Sequence, residues 1–225
     1  MDVARRPGAS VRVLGRGTGD APQDLFAGGV GDHPRDAGRD GADAGPAEHV
    51  KDRRPAVQAA RGVRVPGRIR GELDDPRSLD EIDPDDFDVV FYPGGHGPME
   101  DLSVDPVSGA LLTRVLASGK PLALLCHAPA ATFAAENPDG SWPFDGYRMT
   151  GLSNLEEKFN SFGRKAKWLL EDRLRESGAD YTKALLPLRP YVVVDRNLYT
   201  GQNPPSSERL AERLVTDVEG AGRTA

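Results

Sequence analysis

The sequence predicts an α/β fold in which a parallel sheet is flanked by helices. Three observations carry that expectation. Asp88 to Tyr92 and Leu122 to Leu125 are short, mostly apolar runs, too short for helices, as buried strands are. Asp105 to Ser118, between them, has apolar residues at helical spacing, and strand–helix–strand alternation favours parallel pairing. Composition also changes near residue 71. Of the first 70 residues, 49 are Gly, Ala, Arg, Asp or Pro, a bias that cannot supply a core, whereas the chain from Glu72 onward has ordinary globular composition.

The expected organisation is therefore a low-complexity segment over 1–71 and an α/β domain over 72–225, its folded sandwich running from about 72 to 217. Within the first segment only Val11 to Leu14 is strand-like. Ser78 to Asp85 is an acidic approach loop, and Pro93 ends the first clear strand. The helix over 105–118 stops at Gly119, a good C-cap, and Lys120-Pro121 leads into the next strand. Asn137 to Phe144 is turn-rich, and Arg148 to Leu152 is a short strand. Glu156 to Ser177 is expected as one helix, with an apolar face through Phe159, Phe162, Trp168, Leu169 and Leu174 and a stop at Gly178. Trp168 is assigned to the core. Tyr191 to Val194 and Leu198 to Thr200 form a hairpin around Asp195-Arg196-Asn197. Pro205 to Glu219 is the terminal helix, capped near Ser206 or Ser207.

The 225 residues suffice for one domain with a real core. A net charge of −6 gives no support for a nucleic-acid partner. No run approaches the length of a membrane span, and no signal-peptide apolar region opens the chain. One cysteine cannot form an internal disulfide, so a reducing cytoplasm is the default location.

That cysteine, Cys126, sits at a strand-to-helix corner in PLALLCHAPAATFAA. Pro129 fits the first helical turn, where its missing N–H costs nothing. Backbone N–H groups at a helix start favour thiolate, the reactive form. The arrangement resembles a nucleophile elbow with sulfur in place of oxygen. Upstream, Gly94, Gly95 and Gly97 follow a strand end in YPGGHGPMEDL and let backbone approach a ligand closely. If these two strands are neighbours, thiol and glycine N–H groups share one site and can stabilise an oxyanion.

YPGGHGPMEDL, LLCHAPAA, YRMTGLSNLEE and LYTGQNPPSS together resemble the PfpI/ThiJ superfamily, also described as class I glutamine-amidotransferase-like, over roughly Ser78 to Val215. Within it they are similar to the branch of heat-shock-induced chaperones with cofactor-free glyoxalase III activity. The resemblance implies a flavodoxin-like parallel sheet. It makes Cys126 the nucleophile and His127 the catalytic histidine. Gly95 and His127 N–H groups become the oxyanion donors, with Gly94 beside them. The carboxylate that orients the histidine follows the TGLS motif; the register points to Glu157, with Glu156 one step away. His96 could line the mouth of the site or serve the loop, and Asn203 matches a motif near the pocket. Relatives also open with an apolar strand and a loop carrying an essential glutamate. Neither is found here, and Glu48 has no strand before it. The first strand unit is thus missing or replaced, either by a disordered extension or through a frameshift in GC-rich coding DNA. The frameshift is favoured because it explains the abrupt start of the family pattern. Reading the other frames for an apolar strand and a glutamate tests it.

The implied function is a cofactor-free glyoxalase III-like lyase acting on methylglyoxal-type 2-oxoaldehydes, weakened by the missing glutamate. A thiol hydrolase or deglycase would use the same cysteine. The alternative is a holdase chaperone for unfolded proteins, which needs an exposed apolar patch rather than Cys126. True glutamine amidotransferase chemistry is disfavoured, because no histidine follows His127. No metal is expected, since His33, His49, His96 and His127 show no ligand spacing. Homodimers are common in the resembling family, and an exposed sheet edge would promote pairing and lower solubility.

Overall fold

Side-chain alternation along three short strands sorts the core into two layers. The computed structural model describes residues 12–15, 77–159 and 166–222. In chain order the elements are β1 (Arg12–Gly15), β2 (Phe87–Tyr92), α1 (Gly97–Glu100), α2 (Pro106–Ser118), β3 (Leu122–Leu125), β4 (Arg148–Met149), α3 (Asn154–Phe159), α4 (Leu170–Glu176), β5 (Asp180–Tyr181), β6 (Val192–Asp195), β7 (Leu198–Gly201) and α5 (Ser207–Gly222). The main sheet has the order β1-β2-β3-β7-β6. Its centre, β2-β3-β7, is parallel, and both edge strands are antiparallel. β4 and β5 form a separate parallel pair.

Val90, Tyr92, Leu122, Leu124 and Leu198 pack in one core with Leu111, Leu112 and Val115 of α2. Val89, Phe91, Ala123, Leu125 and Tyr199 pack in the other with Leu210 and Leu214 of α5. Each fully buried aliphatic side chain contributes about 1.5–3 kcal/mol, so the period-2 pattern holds a helix on each side. α2 begins as the sequence implies, with Asp105 accepting from Val107 N and Pro106 opening the helix, and ends at Gly119 at φ 75°. The hairpin of β6 and β7 is also where expected.

Several expectations need correction. The helix expected over 156–177 is two helices, α3 and α4. Asn154 N donates to Glu171 Oε2 at 2.9 Å, whereas one continuous helix would put these residues about 25 Å apart at 1.5 Å per residue. Residues 160–165, including Phe162, lie outside the described residues. The strand expected over 148–152 stops at Met149 because its next amides turn to other partners. Thr150 N donates to Thr200 Oγ1 and Leu152 N to the Cys126 carbonyl. The acidic approach loop contains two 3₁₀ turns, Leu79–Glu81 and Pro84–Asp86. A 3₁₀ turn, Pro204–Ser206, precedes the terminal helix, which runs on to Gly222.

The strand-like run near Val11 to Leu14 corresponds to β1, which pairs antiparallel with β2 and shifts register between Leu14 and Gly15. A short antiparallel strand therefore occupies this edge of the described sheet. The rest of the segment over 1–71, with Glu48 and the question of frameshift or extension, lies outside the described residues. Among the described residues no helix is long and apolar enough to cross a membrane.

Candidate active site

β2 and β3 run side by side, with Tyr92 opposite Leu124. Their carboxyl ends therefore open at the same sheet edge, where ligands of open α/β sheets bind. Cys126 follows β3 at φ 60°, a left-handed conformation that a residue with a Cβ adopts only when its surroundings impose it. The surroundings are visible: Cys126 N donates to the Gly201 carbonyl at 2.8 Å, and the Cys126 carbonyl accepts from Leu152 N at 2.9 Å. The corner peptide is gripped from both sides, and Cys126 as a residue is 8% exposed.

Gly94 and Gly95, after β2, have φ 88° and 86°. A Cβ on Gly94 would collide with the Leu125 carbonyl oxygen and lie 3.2 Å from Cys126 Cβ. Glycine at this position lets the loop press against the elbow.

Beyond the elbow, His127 precedes Ala128–Ala134, which is a 3₁₀ helix rather than the expected α-helix. Its tighter, poorer hydrogen-bond geometry makes its terminus a weaker source of positive potential. The side chain of His127 provides the charge instead. Cys126 Sγ lies 3.3 Å from His127 Nδ1, and His127 Nε2 lies 2.5 Å from Glu157 Oε2. His127 and Glu157 are each 2% exposed. Burial opposes the imidazolium, but hydrogen bonds and charge from Cys126 and Glu157 override it and push the His127 pKa up to about 9. Burial likewise opposes charge on Glu157, yet hydrogen bonds and charge from His127 and His96 hold its carboxyl below the usual range. An imidazolium donates to sulfur through Nδ1–H and to the carboxylate through Nε2–H, an arrangement suited to a thiolate nucleophile.

The two glutamates have different partners. Glu157 bonds to His127. Glu156, 4% exposed, faces another way and accepts five hydrogen bonds, from Ser153 N, Ser153 Oγ, Gln202 Nε2, Asn203 Nδ2 and Leu188 N. Sequence reasoning missed this cluster, although Gln202 and Asn203 sit in the TGQNP motif already singled out. Asn203 is accordingly placed differently from the expectation: its amide bonds Glu156 and the Arg189 carbonyl, and its oxygen accepts from Ser206 Oγ. It supports the helix that carries Glu157.

The His96 side chain is about one-third exposed and also reaches inward. Its Nε2 donates to Glu157 Oε1 at 3.2 Å, and its ring centroid is 4.2 Å from that of His127. The four histidines show no ligand spacing in sequence, yet two of them meet in space. Two rings 31 positions apart in sequence share one carboxylate in space. A separate cavity of about 800 Å³, lined by residues including Pro121, Asn197 and Asp217, lies at the other end of β3 and β7 and touches none of these groups.

The DJ-1/PfpI family model matches residues 57–217. The chain belongs to that family. It is 31% identical over 140 residues to the human glutamine amidotransferase-like class 1 domain-containing protein 1, covering 62% of this chain and 63% of that protein. It is 27% identical over 150 residues to a glutathione-independent glyoxalase of Schizosaccharomyces pombe, covering 64% and 62%. The solved Rapid Encystment Protein 24 KDa of Francisella tularensis superposes with a TM-score of 0.64 at 26% identity, covering 68% of each chain. The chain spans a little under two thirds of the length of the glutamine amidotransferase-like relatives it matches. This solved fold agrees with the parallel-centred sheet described above.

Proposed function

We propose that the chain is a cysteine-dependent, cofactor-free lyase of glyoxalase III type, acting on small 2-oxoaldehydes such as methylglyoxal. The observation that carries the reading is the continuous path from Cys126 Sγ through His127 to Glu157 at 3.3 and 2.5 Å. Similarity to glutathione-independent glyoxalases supports the substrate class.

In this reading the Cys126 thiolate adds to the aldehyde carbon, and the new alkoxide takes a proton to give a hemithioacetal. Gly95 and His127 N–H groups steady the oxyanion. The carbon-bound hydrogen then leaves as a proton and returns at the neighbouring carbon through an enediol, giving a thioester of the 2-hydroxy acid. Water cleaves that thioester to the acid and regenerates the thiol. The carbon-to-carbon transfer needs a positioned base, worth about 10²–10⁴-fold. Among the described residues His127 is the base nearest the sulfur, and the first glutamate of the chain is Glu48. Turnover is therefore expected to be slow while the thiol stays reactive.

The test pairs iodoacetamide labelling of Cys126 with lactate formation from methylglyoxal. Fast labelling with slow lactate formation, both lost in Cys126→Ala, is the expected result. Slow labelling would sink the elbow as a reactive site. Fast lactate formation would show that a further carboxylate completes the site.

A holdase role is the second reading. Leu155, Phe159, Leu185, Leu186 and Leu188 are exposed, Leu185 at 98%, on α3 and the loop bonded to it through Leu188 N. Such apolar surface suits unfolded chains. Suppression of client aggregation that persists in Cys126→Ala would favour it, and loss of that suppression in Cys126→Ala would count against it.

A further inference from the structure

His96, His127 and Glu157 each offer a ligating atom within 4.8 Å of the others. We propose that they form a binding site for one divalent cation of the zinc class, and that its occupation switches off Cys126 chemistry. Two imidazoles and a carboxylate are a ligand set that zinc accepts, with a fourth position left for water.

The geometry is close to what such an ion needs. Ligand atoms about 2.0–2.1 Å from a tetrahedral zinc lie about 3.3 Å from one another. His96 Nε2 and Glu157 Oε1 are already 3.2 Å apart, and His127 Nε2 lies 2.5 Å from Glu157 Oε2. To admit an ion the His127–Glu157 pair must open by about 0.8 Å, while the His96–Glu157 spacing already fits. His127 and Glu157 are buried, whereas the His96 side chain is 33% exposed and flanked by Gly94, Gly95 and Gly97. His96 is thus the most exposed of the three ligands.

Binding needs the Nε2 atoms free of protons. A metal held by both Nε2 atoms takes the place of any proton there, which passes to solvent. His127 then keeps a proton on Nδ1, facing sulfur, and its other nitrogen is held by the metal. It can no longer take a proton from thiol or substrate. This silencing rests on the proposed reaction; the binding does not.

The experiment titrates the full chain with Zn²⁺ and, as a spectroscopic probe, Co²⁺. One equivalent should bind, with visible ligand-field bands and no sulfur-to-cobalt charge-transfer band. His96→Ala and Glu157→Gln should each weaken binding about ten-fold or more, the range over which metal-site substitutions act. Cys126→Ala should bind as well as the parent. So should His33→Ala/His49→Ala, which removes the two remaining histidines of the chain. Absence of binding, affinity unchanged in His96→Ala, a sulfur charge-transfer band, or loss in the His33/His49 variant would each overturn the site. If zinc binds as stated but lactate formation persists at saturation, the site stands and the switch is refuted. If no lactate forms at all, the failure lies with the proposed reaction, and the binding arms still decide the site.

Discussion

Glu156 and Glu157 are neighbours on one helical turn and almost equally buried, yet they occupy opposite kinds of environment. Successive helix positions point about 100° apart, so one step in sequence selects a different set of partners. Glu156 is held by five hydrogen bonds from neutral amide and hydroxyl donors, none of which titrates. Glu157 is held by two histidines, one of which also bonds the thiol. Fixed neutral donors make a carboxylate an anchor, while titratable donors make it part of proton traffic. The anchor aims the second carboxylate.

Glu156→Ala should give the largest effect. Buried donors left without a partner cost about 1–3 kcal/mol each, so a loss of about 3–5 kcal/mol in urea unfolding is expected. A loss below about 1 kcal/mol would remove Glu156 as an anchor. Glu157→Gln is the contrasting change. It should leave stability within about 1–2 kcal/mol but slow iodoacetamide labelling of Cys126 by about 10²-fold, the lower end for a positioned proton-handling network. Equal labelling in parent and variant would erase the contrast between the two glutamates. Gly94→Ala adds a Cβ at φ 88° against the Leu125 carbonyl. Backbone strain of this kind costs about 1–3 kcal/mol, and labelling should slow as the loop withdraws; wild-type values for both would show that the elbow does not need this approach.

A pH series sharpens the same comparison with smaller shifts. Glu156, Glu157 and Glu171 all have carboxyl pKa values lowered in the fold. Each contributes stability above its unfolded pKa of about 4.3, and that contribution is lost as pH falls through the folded value. His127 has the opposite sign. Its contribution is complete below about pH 6.5 and is lost as pH rises through its folded value of about 9. The melting temperature should therefore be highest near pH 5–6. Cys126→Ala removes a partner that raises the His127 pKa, so it should shrink the alkaline decline and leave the acid limb unchanged. An identical alkaline limb in both proteins would detach His127 from Cys126.

Local chemistry made much of this protein legible from its sequence. Asp105-Pro106 and Gly119 mark the ends of α2 because capping depends on residues within one turn. The apolar runs of β2 and β3 and the hairpin of β6 and β7 follow from short-range patterning. The family motifs carried Cys126, His127 and Glu157, and the fold brings those three together. What sequence could not decide was set by long-range contact. The break between α3 and α4 depends on Asn154 meeting Glu171, and the end of β4 depends on Thr200 taking the Thr150 amide. The approach of His96 to Glu157 joins residues 61 positions apart, and the Glu156 cluster joins a helix to residues up to 47 positions away. Such pairings leave no local period or cap to read. Sequence alone picked out Cys126, His127 and the two glutamates; only the packing of β2, β3, β7 and α3 decided which carboxylate bonds His127 and which is ringed by neutral donors, because side-chain direction is fixed by tertiary contact.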